Sequence, residues 1–112
     1  MSFIQQTGPN FKPPKPERGT AAAKRHIERV KQLPCVICRL PGPSDAHHVI
    51  SGRYGSRKAS DFEVISLCKR HHQHHPEAIH ENKRAWEEAN GPDWGFLPVV
   101  RAWLDEETEI DF

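Results

Sequence analysis

Two short stretches of this sequence share one shape, Cys35-Val36-Ile37-Cys38 and Cys68-Lys69-Arg70-His71. A gap of two residues lets both side chains of a turn converge on one ion. Three thiolates with one imidazole suit Zn²⁺ in a closed, four-coordinate structural site. Residues 39–67 lie between the halves, enough chain for a hairpin, so closing the site ties a long loop. The chain has three cysteines, and an odd count argues against a disulfide framework. The competing reading is a redox pair Cys35–Cys38 with Cys68 as a core thiol. No thioredoxin-like βαβ pattern surrounds the pair to favour it.

Seven of the eight histidines fall between His47 and His80, and the quartet uses only His71. His47 and His48 sit in an apparent strand, His47-His48-Val49-Ile50, where neighbours point to opposite sides. They should therefore do different jobs. His72 follows His71 directly, so an ion in the quartet also fixes His72 in space. A histidine that is not a ligand, held near a metal and a phosphate, is a candidate general base. His26 reads as a surface residue, and His74 and His75 as exposed or structural.

Several elements must position these groups. Thr20 is a candidate N-cap for a helix over Ala21 to Gln32, ended by Pro34. Val64 to Leu67 reads as a second strand, pairing with the first across a long connection. A short helix begins at Lys69 and ends near Pro76. Glu81 to Ala89 is expected to be helical, with Trp86 facing the core and Gly91 as a stop. Pro98 to Glu107 forms a last helix with Val99, Ala102 and Trp103 inside. Trp86, Trp94, Trp103, Phe62 and Phe96 are read as core aromatics.

At 112 residues the chain fits one domain. With 36% hydrophobic residues and 10 prolines, its core is modest and a metal staple is expected to supplement it. No apolar run approaches the length of a membrane span, and Gln5, Gln6, Pro9 and Asn10 interrupt any leader-like core. A cytoplasmic protein is the expectation. The net charge of +1 conceals polarity: residues 1–31 carry seven Lys/Arg against two Glu, and residues 101–112 carry five acids against Arg101. This suits one phosphate-facing side. Residues 1–19 read as a flexible, basic, proline-rich arm and residues 108–112 as an acidic tail. Arg53, Arg57 and Lys58, in the loop between the strands, are the expected phosphate contacts. Lys24, Arg25, Arg29 and Lys31 read equally as a solvated helix face or as an extension of that basic side.

The order Cys-x-x-Cys, His-His, then Leu-Cys-x-x-His-His resembles the HNH (His-Me finger) nucleases. More closely, His47-His48-Val49-Ile50-Ser51-Gly52-Arg53, Arg57-Lys58-Ala59-Ser60-Asp61-Phe62, Leu67-Cys68, His71-His72-Gln73, Ile79-His80 and Trp86-Glu87 are similar to the phage recombination-enhancement-function (Ref) nucleases. The resemblance spans about residues 24–100. It implies an α+β fold: a small zinc-stapled ββα-metal core over residues 20–107, flanked by an N-terminal helix and C-terminal helices. It implies His48 as general base, and His47 and His72 as ligands of a catalytic Mg²⁺ or Mn²⁺, with His80 as a further ligand of that ion or a phosphate contact, beside the structural zinc. The histidine-rich set suits Mn²⁺ better than the oxygen-seeking Mg²⁺. It further implies hydrolysis of DNA phosphodiester bonds in phage recombination, a RecA filament as partner, and a phage or prophage gene acting in the bacterial cytoplasm. The pattern departs from the family at one point. The middle Asn is absent, since no Asn lies between Asn10 and Asn82. Asp61 and Glu63 lie nearest, and Asp61 is the candidate to orient His48. The alternative function is a non-catalytic zinc-binding module that holds DNA or protein. Such a module needs the quartet but has no use for His47, His48 and His72 around it.

Overall fold

The computed structural model describes residues 16–52 and 58–110, the last four of these as backbone. The fold is a small α+β arrangement around a two-stranded sheet. Helix α1 (Ala21–Lys31) leads to strand β1 (Asp45–His48), strand β2 (Val64–Leu67) and the one-turn helix α2 (Lys69–His72). Helix α3 (Lys83–Asn90), a 3₁₀ turn (Asp93–Phe96) and helix α4 (Leu97–Ile110) follow. No helix among the described residues is long and apolar enough to cross a membrane.

β2 is the centre of the molecule. Its four residues are all fully buried, with α1, α2, α4 and the 3₁₀ turn all packed against it. Burial on both faces explains why Val64-Ile65-Ser66-Leu67 lacks an apolar/polar alternation. Its one hydroxyl is satisfied: Ser66 Oγ donates to the Pro34 carbonyl at 2.7 Å. β1 pairs with β2 antiparallel, with His47 opposite Ile65 and His48 opposite Val64. β1 begins at Asp45, two residues earlier than the sequence suggests, and Val49 and Ile50 lie beyond its end. Val49 N still donates to Glu63 O at 3.0 Å, so the pairing fades rather than stops.

The helix ends follow local chemistry. The Thr20 hydroxyl accepts from Ala23 N, which starts α1 where expected. Asn82 caps α3 by accepting from Ala85 N, so that helix opens at Lys83. Gly91, at φ +81°, releases its end. A side chain at Gly42 would put its Cβ 2.9 Å from the Gln32 carbonyl oxygen. Only glycine lets the loop after the Cys35–Cys38 turn cross the end of α1 so closely.

Three further expectations about the aromatics and the last helix need correction. The inner face of α4 is Val100 and Leu104, whereas Ala102 is exposed and Val99 and Trp103 are half-buried. The i, i+4 pair is the one that meets β2 and α1. Trp103 instead lies under the Arg39 guanidinium, 4.8 Å from its ring centre. Trp94 and Phe62 are exposed rather than core aromatics. Finally, α4 continues through Ile110, into the segment expected to be a tail; glutamates propagate a helix well.

His26 is half-buried rather than a surface residue. Its ring lies 5.1 Å from that of Phe62, and its Nε2 is buried with no hydrogen-bond partner among the described residues. Burial, then the charges of Arg29 and Arg101, hold its pKa below the ordinary 6.5. The folded protein thus binds this proton less readily than the unfolded chain does. The resulting stability is present above pH 6.5 and is lost as the pH falls toward the lowered value. His26→Phe is expected to shrink the drop in melting temperature between pH 7.5 and pH 5.5 relative to the parent chain. An equal drop in both would remove His26 as a source of acid sensitivity.

Candidate metal centres

One backbone bond joins the Cys35–Cys38 turn to the sheet, and two more close the turn on itself. Val36 N donates to Ser66 O, Cys35 N to Leu40 O, and Arg39 N to Cys35 O. Cys68 is the last residue before α2, and its carbonyl accepts from the amides of both His71 and His72. The two halves meet as the sequence predicts. The ligand atoms of Cys35, Cys38, Cys68 and His71 all lie within 4.8 Å of one another. Cys38 Sγ is 3.7 Å from Cys68 Sγ, and His71 Nδ1 is 3.2 Å from Cys68 Sγ and 3.8 Å from Cys35 Sγ. A tetrahedron with metal–sulfur bonds of about 2.3 Å has edges of about 3.8 Å, so this group can hold a metal ion such as zinc. All three cysteines are free thiols.

The thiols differ. Burial opposes charge on Cys35, but backbone amides at Cys38, Cys68 and Ile37 outweigh it and lower its pKa. Cys68 goes the other way: burial, with Cys35 and Cys38 beside it, pushes it up to about 11. Cys35 thus gives up its proton more readily than Cys68, and a bound cation would draw off the rest.

The second cluster lies on the other side of the same short helix. His47 from β1, His72 from α2 and His80 after it bring their ring nitrogens within 4.8 Å of one another. Ring centres are 5.3 Å apart for His47–His72, 5.0 Å for His47–His80 and 4.8 Å for His72–His80, each pair edge to face. Backbone bonds join this arrangement to the first cluster, since Ile79 N donates to His71 O and His80 N to His72 O.

Two carboxylates that sequence reasoning missed set the histidines. Asp93, with no exposed surface, accepts from His47 Nε2 at 2.8 Å, Ile50 N at 2.7 Å and Ser51 N at 3.0 Å. Burial favours the neutral acid, but those donors prevail and its pKa is lowered. His47 is itself held below 6.5 by burial. An anionic Asp93 facing a neutral His47 places the ring proton on Nε2 and leaves Nδ1 with a lone pair. Asp45 Oδ2 does the converse for His72, bonding Nδ1 at 2.9 Å and leaving Nε2. Asp45 stands two residues before His47, on the same strand face, a signal open to sequence reading. Asp93 has no local signal; it is 46 residues from His47.

His48 is apart from the ligand set. Its Nε2 lies 2.7 Å from Asp61 Oδ1, and Asp61 Oδ2 accepts from Gly19 N. His48 and the Gly19 amide, in that order, hold the Asp61 pKa down. An ionised Asp61 accepts the hydrogen bond of His48 Nε2–H, which turns Nδ1 away from that carboxylate. Residues at the end of the expected arm are part of this frame: Asp61 N donates to Glu17 O, and Arg18 Nη1 to Ala59 O. A cavity of about 330 Å³ opens over the cluster, bordered by His47, His48, His72, His80, Arg18 and Lys58.

Lys58 therefore reaches the site, whereas Arg53 and Arg57 lie outside the described residues. Arg18 was not expected there. Of the α1 cations, Arg29 turns to the Leu104 carbonyl and Lys31 to Glu28. His74 and His75 join neither cluster.

The family described as "Protein of unknown function (DUF968)" matches residues 4–105, nearly the whole chain. The chain belongs to the DUF968 family. It is also 32% identical over 97 residues to "Uncharacterized protein YdfU" of Escherichia coli (strain K12). That alignment covers 85% of this chain and 26% of YdfU, so the DUF968 chain spans about a quarter of that relative's length. No solved structure matches it significantly.

Proposed function

We propose that this DUF968 chain is a metal-dependent DNA endonuclease of the HNH (His-Me finger) type, akin to the Ref nucleases of phage recombination. One observation carries the reading. His47, His72 and His80 converge in a cavity that also presents His48, backed by Asp61, and the cations Lys58 and Arg18. A zinc-binding module that only holds DNA has no use for three converging imidazoles beside an oriented fourth. The succession β1, β2, α2 supports assigning a ββα-metal core.

In this reading Cys35, Cys38, Cys68 and His71 hold a structural zinc ion. His47, His72 and His80 hold the second ion, which when bound supplies Lewis-acid stabilisation of the phosphate charge. Three imidazoles favour Mn²⁺ or another transition metal over Mg²⁺. His48 accepts the proton of the attacking water on Nδ1 while Asp61 holds its Nε2 proton. Lys58 and Arg18 draw the DNA phosphate into the cavity. A RecA filament as the platform for cleavage, and a phage or prophage gene expressed in the bacterial cytoplasm, belong to the same proposal.

The test is incubation of the zinc-loaded protein with single- and double-stranded DNA, with Mg²⁺ or Mn²⁺, with and without RecA filaments. Metal-dependent cutting is expected. His72→Ala should raise the Mn²⁺ concentration for half-maximal rate by about tenfold or more, since outer partners of a ligand alone are worth that much. Absence of cutting in every arm would sink the reading.

A further inference from the structure

Trp94 occupies an unusual position. Tryptophan is one of the more thoroughly buried residues on average, yet 53% of Trp94 is exposed. Its neighbour Asp93 is the fully buried carboxylate that bonds His47, and the Asp93 amide donates to Ser51 Oγ at 3.1 Å. The backbone carrying this exposed indole is therefore fixed to a ligand of the histidine cluster.

The indole borders a cavity of about 310 Å³, whose other walls include Pro16, Val49 and Lys58. Lys58 also borders the histidine cavity. The N-terminal segment divides the two spaces in the same way, with Pro16 lining one and Arg18 the other. One space thus offers cations and imidazoles, while the adjoining one offers an aromatic face, apolar walls and a shared cation. Glu63, the one acid on that wall, is engaged by the Ser60 amide at 3.2 Å.

We propose that the Trp94 cavity takes an unpaired nucleobase of single-stranded DNA, stacked on the indole, while the adjoining phosphate sits at Lys58 and the histidine cluster. This rests on the DNA reading above and adds the substrate class to it. Every base has a face for stacking, so the subsite is tolerant of sequence. Bases within a duplex already spend both faces on their neighbours and cannot offer one to Trp94. Single strands therefore bind more tightly than duplexes of equal length.

The experiment titrates fluorescein-labelled oligo-dT, and a labelled duplex of the same length, with zinc-loaded protein without added divalent metal, following anisotropy for every variant and tryptophan emission for the parent chain. Trp86 is buried and Trp103 half-buried, so Trp94 is the tryptophan open to a ligand. Oligo-dT should quench the emission and the duplex should not. Trp94→Ala should weaken oligo-dT binding by about 5- to 150-fold, the range of one lost base stack, and leave duplex binding unchanged. Trp94→Phe should retain most of the affinity. An unchanged oligo-dT affinity in Trp94→Ala, or an equal loss for both DNAs, overturns the proposal, as does absence of binding. The two readings fail separately. Cutting that is indifferent to Trp94 removes the base subsite alone. Trp94-dependent binding without any cutting leaves the subsite and removes the nuclease.

Discussion

Cys68→Ser is expected to leave the chain largely unfolded at room temperature, and a strong chelator should do the same to the parent protein. Structural zinc in small domains contributes about 10–16 kcal/mol of binding free energy. A domain of this size holds only about 5–15 kcal/mol in total, so losing the ion removes most or all of it. Cys68 makes the effect severe because of its place. It joins β2, the fully buried strand, to α2, and its carbonyl anchors the amides of both His71 and His72. Far-ultraviolet circular dichroism and zinc content measured together check this. If Cys68→Ser melts within a few degrees of the parent, the quartet is not the staple proposed.

The second large effect is on rate. His48→Ala should lower DNA cleavage by about 10²–10⁴-fold, the span of a general base, with zinc content and fold intact. The separation of the two effects follows from geometry. The His48 side chain is 28% exposed and belongs to neither ligand group. Its partner Asp61 keeps its own bond to the Gly19 amide when the imidazole is removed. Single-turnover rates at saturating metal check the expectation. A His48→Ala chain that cuts at the parent rate would take the base away from His48, and Asp61 with it.

What the sequence revealed depended on distance along the chain. The quartet is written as two local motifs, so its ligands could be named without any structure, and they meet as named. β2 was legible because four residues buried on both faces need no alternation. α1 was legible because its cap and its stop are local. α4 was misread because Val99, Ala102 and Trp103 are as apolar as a true inner face. Only contact with β2 selects Val100 and Leu104 instead. Trp94 illustrates the same limit. An indole reads as core by composition, and its exposure follows from how the 3₁₀ turn lies against the end of β1. Asp93 was invisible for a related reason: a lone acid between Pro92 and Trp94 looks like a turn residue. Its burial depends on three donors more than 40 residues away.

The position of Asp93 has a consequence for the order in which the molecule is made. His47, His72 and His80 all leave the ribosome before the carboxylate that sets the ring proton of the first. Ile50 N and Ser51 N wait for the same residue. A nascent chain therefore carries all three imidazoles while the strand that presents His47 is still unbolted. For a chain proposed to cut DNA in a cytoplasm where ribosomes work beside the chromosome, the last bolt arriving late is a safeguard. The histidine cluster is completed only once the growing chain has passed residue 93 and folded back onto the sheet.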